Sequence, residues 1–155
     1  MTLFVVCDIS GSMADLAKPF IMRTTVMTIA QWIRLGYGRT PIKLCAWAGE
    51  AYFPDWSENQ EYPAQLLACR GTSSVAALIQ LLGTQPEGKI LLLSDGFWSH
   101  ADTKLLKQWS ASLPPDTLRI IKTGADANPR LKGPDVFVTD ELFAALDGWL
   151  EDCSA

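Results

Sequence analysis

The chain has 155 residues, 48% of them hydrophobic and 19% charged, a balance that builds a buried core and excludes a disordered chain. A net charge of −4 and a pI near 4.9 exclude the basic face that a general nucleic-acid binder needs. No apolar stretch runs the ~18 residues of a membrane span, and the N-terminus shows neither a basic leader nor a cleavage site, so a cytoplasmic protein without membrane contact is expected.

Leu3 to Cys7 is a short β-branched apolar run that predicts a strand buried on both faces, and it ends in Asp8-Ile9-Ser10-Gly11-Ser12. A helix is predicted over 17–35, with Met22, Val26, Ile29 and Ile33 on its apolar side and Thr24, Thr28 and Gln31 on a polar stripe. Pro19 is tolerated only in its first turn, and Gly36 and Gly38 end it. Ile42 to Trp47 reads as a second strand, with Glu50 to Phe53 returning antiparallel after the Ala48-Gly49 turn. Val75, Leu78, Ile79 and Leu82 form a helix face, and Lys89 to Ser94 is the strongest buried-strand signal, stopping at Asp95-Gly96. A helix over 101–111, with Ser99 as its cap, leads to strands at 118–122 and 136–138 and a last helix over 140–150.

This alternation predicts one α/β domain over 1–155: doubly wound and Rossmann-like, with a mostly parallel central sheet, one antiparallel edge strand and helices on both faces. The four cysteines, Cys7, Cys45, Cys69 and Cys153, lack metal-ligand spacing and read as reduced, with Cys7 and Cys45 in the core, which again suits the cytosol. Trp32, Trp109 and Trp149 lie on predicted helices and read as packing residues.

In such a sheet ligands bind beyond the carboxyl ends of the strands, where strand order reverses. Asp8 and Asp95 each end a strand there, and Thr72 lies in a glycine-containing loop before a helix. Asp8, Ser10, Ser12, Thr72 and Asp95 therefore predict a five-residue oxygen site, with Gly11 letting the loop bend close to an ion. Oxygen donors suit Mg²⁺, with Mn²⁺ or Ca²⁺ as alternatives, and argue against zinc or copper. The plainer reading is that both acids cap turns and the hydroxyls bond to backbone.

DISGS, then RGTS, then LLLSDG resembles the signature of the von Willebrand factor A (vWA) domain family: DxSxS, a distant Thr and a distant Asp around its metal-ion-dependent adhesion site (MIDAS). The resemblance covers essentially the whole chain. It implies that Ser10 and Ser12 ligate Mg²⁺ directly, that Thr72 does so in one conformation, and that Asp8 and Asp95 act mainly through water. With neutral hydroxyls inside, one exchangeable position is left for a Glu or Asp of a partner protein. Where the family commonly has two glycines before the Thr, Arg70 replaces the first. It either weakens the cation by repulsion or faces the partner's acid. Phe97 and Trp98 follow Asp95, and they either anchor a partner at the rim or pack into the core.

The function expected is a non-enzymatic, Mg²⁺-dependent interaction module. The resemblance to stand-alone bacterial members implies an adaptor in a stress or defence system, partnered by an AAA+ ATPase of the MoxR class or a kinase–phosphatase pair. Two alternatives are a phosphoryl-transfer enzyme of haloacid-dehalogenase type and an extracellular adhesion module. The former needs an acid where Ser10 stands, and the latter fits poorly with free thiols. His100, the single histidine, has no nucleophile arrangement around it.

Overall fold

The structure is a computed structural model and describes residues 1–36 and 40–150. Among the described residues six strands form one sheet in the order β3-β2-β1-β4-β5-β6: β1 (Thr2–Asp8), β2 (Ile42–Trp47), β3 (Ala51–Tyr52), β4 (Gly88–Ser94), β5 (Leu118–Lys122) and β6 (Val136–Val138). All neighbours pair in parallel except β2 and β3. The helices are α1 (Lys18–Gly36), α2 (Val75–Leu82), α3 (His100–Ser112) and α4 (Leu142–Leu146).

Period-two alternation sends the side chains of each strand to opposite layers. Leu3, Val5, Cys7, Leu91 and Leu93 pack with the buried faces of α1 and α4. Val6, Cys45, Trp47, Ile90 and Leu92 pack with those of α2 and α3. Burying each large aliphatic contributes about 1.5–3 kcal/mol. That is why the central strands read as unbroken apolar runs. Ser74 caps α2 by accepting the Ala77 N–H at 3.3 Å, and Ser99 caps α3 through the Asp102 N–H at 3.0 Å.

From β1 the chain goes to β2 and β3 on one side and then crosses to β4 on the other, so the crevice forms beyond the carboxyl ends of β1 and β4. The register places Cys7 beside Leu93 and Asp8 beside Trp47, bringing Asp8 level with the end of β4.

The last predicted helix needs correcting. Residues 139–141 form a 3₁₀ turn, α4 covers only Leu142–Leu146, and the chain breaks at Gly148 with φ +76°. Trp149 therefore packs from a turn rather than from a helix, 1% exposed, with its indole N–H donated to the Asp116 carbonyl at 2.7 Å. Trp109 is buried as expected and donates to the Gly83 carbonyl. The expected stop at Gly38 and the residues Glu151, Asp152 and Cys153 lie outside the described residues.

Candidate metal centre

Beyond β1 the chain makes a tight turn held on three sides. The Ile9 N–H donates to the Trp47 carbonyl (2.8 Å), the Arg70 N–H to the Ile9 carbonyl (2.9 Å), and the Gly11 N–H to the Gly71 carbonyl (2.8 Å). The DISGS turn and the Arg70–Thr72 loop are thus one hydrogen-bonded unit. A Cβ on residue 11 would lie 3.3 Å from the Gly71 oxygen, so glycine serves the approach of this neighbouring loop. Ser10, Ser12, Thr72 and Phe97 line a cleft of about 230 Å³ in this unit.

Asp8 is 1% exposed. Its Oδ1 accepts the Ser10 N–H at 2.9 Å, and its Oδ2 accepts the Ser94 hydroxyl at 2.6 Å. Desolvation pushes its carboxyl above the ordinary aspartate range, opposed by the bonds from Ser10 and Ser94 and reinforced by the charge of Asp95. Among the described residues Asp8 has no ion-pair partner.

Asp95 is fully buried. Its Oδ1 accepts the Phe97 N–H at 3.1 Å, and its Oδ2 receives the Lys18 ammonium at 3.0 Å. Lys18 also reaches Asp126 Oδ2 at 3.0 Å. Burial alone would lower the Lys18 pKa, but the carboxylates of Asp126 and Asp95 outweigh it and hold the ammonium above its ordinary value. Three carboxylates against one ammonium leave this corner with an excess of negative charge.

Ser12 Oγ is buried and has no hydrogen-bond partner among the described residues. A hydroxyl in that position is an unused donor and acceptor, costly unless something occupies it. The buried, unpaired Asp8 and the orphaned Ser12 hydroxyl both fit a hard cation held by oxygen atoms. Among the described residues no group of three His, Cys, Asp or Glu side chains could hold a metal, so hydroxyls must contribute to any such shell.

No protein-family model matches the chain, and no curated protein matches it in sequence. Solved structures match in shape. Proximal thread matrix protein 1 (PTMP1) from the mussel byssus, with a zinc-occupied MIDAS motif, aligns at a TM-score of 0.53 and 14% identity, covering 98% of this chain and 45% of that one. An aerotolerance-related membrane protein from Bacteroides fragilis NCTC 9343, carrying multiple mutations to serine, gives 0.52 at 16% identity, over 88% and 75%. BatB from Bacteroides thetaiotaomicron gives 0.50 at 11%, over 78% and 65%. The chain therefore spans less than half of the mussel protein and just under two-thirds of BatB. The fold is vWA-like.

On this vWA-like fold the predicted residues fall at one sheet edge, and Ser10, Ser12 and Thr72 share a cleft. Asp8 and Asp95 stand behind them at the ends of adjacent strands. Arg70 is exposed, and Phe97 is 47% exposed on the cleft. Of its two alternatives, Trp98 takes packing. It is half-buried with its ring centroid 6.1 Å from that of Trp47, and it donates its indole N–H to Ser94 Oγ at 3.1 Å.

Three participants escape a reading of the sequence. Ser94 donates to Asp8 while accepting from Gly96 and Trp98, which fixes the Asp8 carboxylate. Lys18 pairs with Asp95 and, on its other side, with Asp126. The Ser-Asp-Gly that closes the apolar run of β4 marks Ser94 as the residue before the acid; no local pattern marks the other two.

Proposed function

We propose that this vWA domain is a metal-dependent docking module in which Asp8, Ser10, Ser12, Thr72 and Asp95 hold a divalent cation that an acidic side chain of a partner protein completes. The orphaned Ser12 hydroxyl, buried beside Ser10 and Thr72, carries the proposal. The zinc-occupied MIDAS motif of the mussel protein supports it. When bound, the cation supplies an incompletely neutralised positive charge at the cleft.

The chain's own residues set what that charge can do. Hydroxyls of Ser10, Ser12 and Thr72 contribute no negative charge, so a carboxylate from outside remains attractive. Ser94 and the Ser10 N–H hold Asp8 still, and Phe97 N–H does the same for Asp95. Phe97 is exposed on the cleft, and Arg70 is exposed next to Gly71 of its lining, suited to an apolar side chain and an acid of the partner. A non-catalytic role fits the neutral Ser10 two residues after Asp8, where a phosphoryl-transfer site would need an acid. Mg²⁺ is the proposed ion, with Mn²⁺ and Ca²⁺ as alternatives, and zinc joins them because of the mussel protein. The proposed setting is the cytoplasm, with an AAA+ ATPase of the MoxR class or a kinase–phosphatase pair as partner. No helix among the described residues is long and apolar enough to cross a membrane.

Calorimetric titration with Mg²⁺, Mn²⁺ and Zn²⁺ tests the site, and affinity capture from the native host with and without EDTA tests docking. Ser10→Ala with Ser12→Ala should keep the fold and lose both metal binding and capture. Capture that survives EDTA and the double substitution sinks the docking mechanism.

A further inference from the structure

Among the described residues Lys18 is the only buried cation, and separate features of the chain are arranged around it. Its side chain is 1% exposed, with Nζ 3.0 Å from Asp95 Oδ2 and 3.0 Å from Asp126 Oδ2. The two residues before it, Leu16 and Ala17, have φ values of 53° and 60°, a left-handed pair that side chains disfavour. Helix α1 starts directly after this strained pair with Lys18 turned into the protein. Gly124, in the loop after β5, has φ +99°, and a Cβ there would lie 2.7 Å from Lys18 Cδ and 2.8 Å from Cγ. The lysine stem thus runs through space that another residue at 124 would need. Strain at 16–17 and a bare backbone at 124 both serve to bring an ammonium to Asp95.

We propose that Lys18 is the resident counter-cation of the metal centre: it neutralises Asp95 in the metal-free protein and yields that carboxylate to an incoming divalent ion while keeping Asp126. The inference rests on the reading of Asp95 as part of the metal site. Two cations that share one carboxylate repel each other, so the ammonium sets metal affinity below that of the same oxygens without it. Asp126, 40% exposed, gives the ammonium a second seat that is less costly to charge than Asp95, which is fully buried. The lysine also keeps Asp95 from being an uncompensated buried charge when metal is scarce.

The decisive variant is Lys18→Met, which keeps the stem over Gly124 and removes the charge. Titration with Mn²⁺ alone should show at least tenfold tighter binding than wild type. The melting temperature in EDTA should fall, and the rise on adding Mn²⁺ should exceed the wild-type rise. Binding that appears only in Lys18→Met supports the inference in its strongest form. Equal or weaker affinity in the variant, with a wild type that binds, overturns the inference and leaves the metal site standing. No binding in either protein overturns both. Should Lys18→Met fail to fold, Asp126→Asn keeps the lysine and removes its second seat. It should bind Mn²⁺ several-fold more weakly, and the loss should persist in 0.5 M KCl, which screens the simple field of an exposed carboxylate. Wild-type affinity, or a loss that vanishes in salt, overturns the proposal.

Discussion

A buried hydroxyl without a partner costs about 1–3 kcal/mol, and Ser12 Oγ is such a group. Ser12→Ala should therefore leave the melting temperature in EDTA unchanged or higher, while the rise produced by Mn²⁺ disappears; differential scanning fluorimetry reads both. Lys18 behaves in the opposite way. Its removal leaves Asp95 buried and unpaired, and Lys18→Met should cost the metal-free protein about 3–5 kcal/mol. Because the folded pKa of Lys18 is raised, its contribution is whole below the ordinary lysine value of 10.5 and is lost as pH climbs through the raised value. Urea unfolding at pH 6 and pH 9 should give the same cost, with the difference between variant and wild type shrinking only in strong alkali. Gly124→Ala should cost about 1–3 kcal/mol from its φ of +99° alone, more if the lysine stem is displaced. The thiols carry a further expectation. Burial raises the Cys7 pKa, pushes Cys45 up to about 12 and Cys69 to about 11. In a Cys153→Ser background, reaction with a disulfide reagent at pH 8 should be slow until the protein unfolds.

At the scale of elements, Asp102 ties two helix starts together at the cleft. Its Oδ1 accepts the Val75 N–H of α2 at 3.2 Å, and its Oδ2 accepts the Ser99 hydroxyl at the head of α3. Asp102→Ala should cost about 0.5–2 kcal/mol in urea unfolding, the range of a lost helix cap. The strands were legible because each central strand is covered on both faces, so its sequence is a continuous apolar run; β2, β5 and β6 fall on the residues the sequence indicates. The last helix was misread because Leu142, Ala145, Leu146, Trp149 and Leu150 keep a helix-like spacing and are all buried, yet the backbone between them turns at Gly148. Hydrophobic period reports burial, and burial here is met by a helix and a turn together. The approach of Asp8 to Asp95 was legible because the sheet's topology brings the ends of adjacent strands together, and the Thr72 loop joins them through the hydrogen bonds of Arg70 and Gly11. Lys18 and Asp126 were not, since their bond links residues 108 positions apart and only the tertiary structure decides that a lysine at a helix start points inward.

For the molecule as a whole, stability should be graded from the middle of the sheet outward. Strands β1 and β4 are flanked on both sides, whereas β3 has two residues and β6 three. Hydrogen exchange followed by mass spectrometry should find the amides of β1 and β4 slowest and those at the two edges fastest. Such short edges also offer little to another chain's strand, which guards against edge-to-edge association. The order of strands has a further consequence during synthesis. β1 is made first, but one of its two neighbours, β4, leaves the ribosome some eighty residues later, and Asp126 later still. Until then a nascent chain holds the Arg70–Thr72 loop against the Asp8–Ser12 turn but lacks Ser94 and Asp95 beside Asp8. If the proposed cation needs Asp95, a translation product truncated before β4 should show no Mn²⁺-dependent rise in melting temperature, whereas the finished chain should.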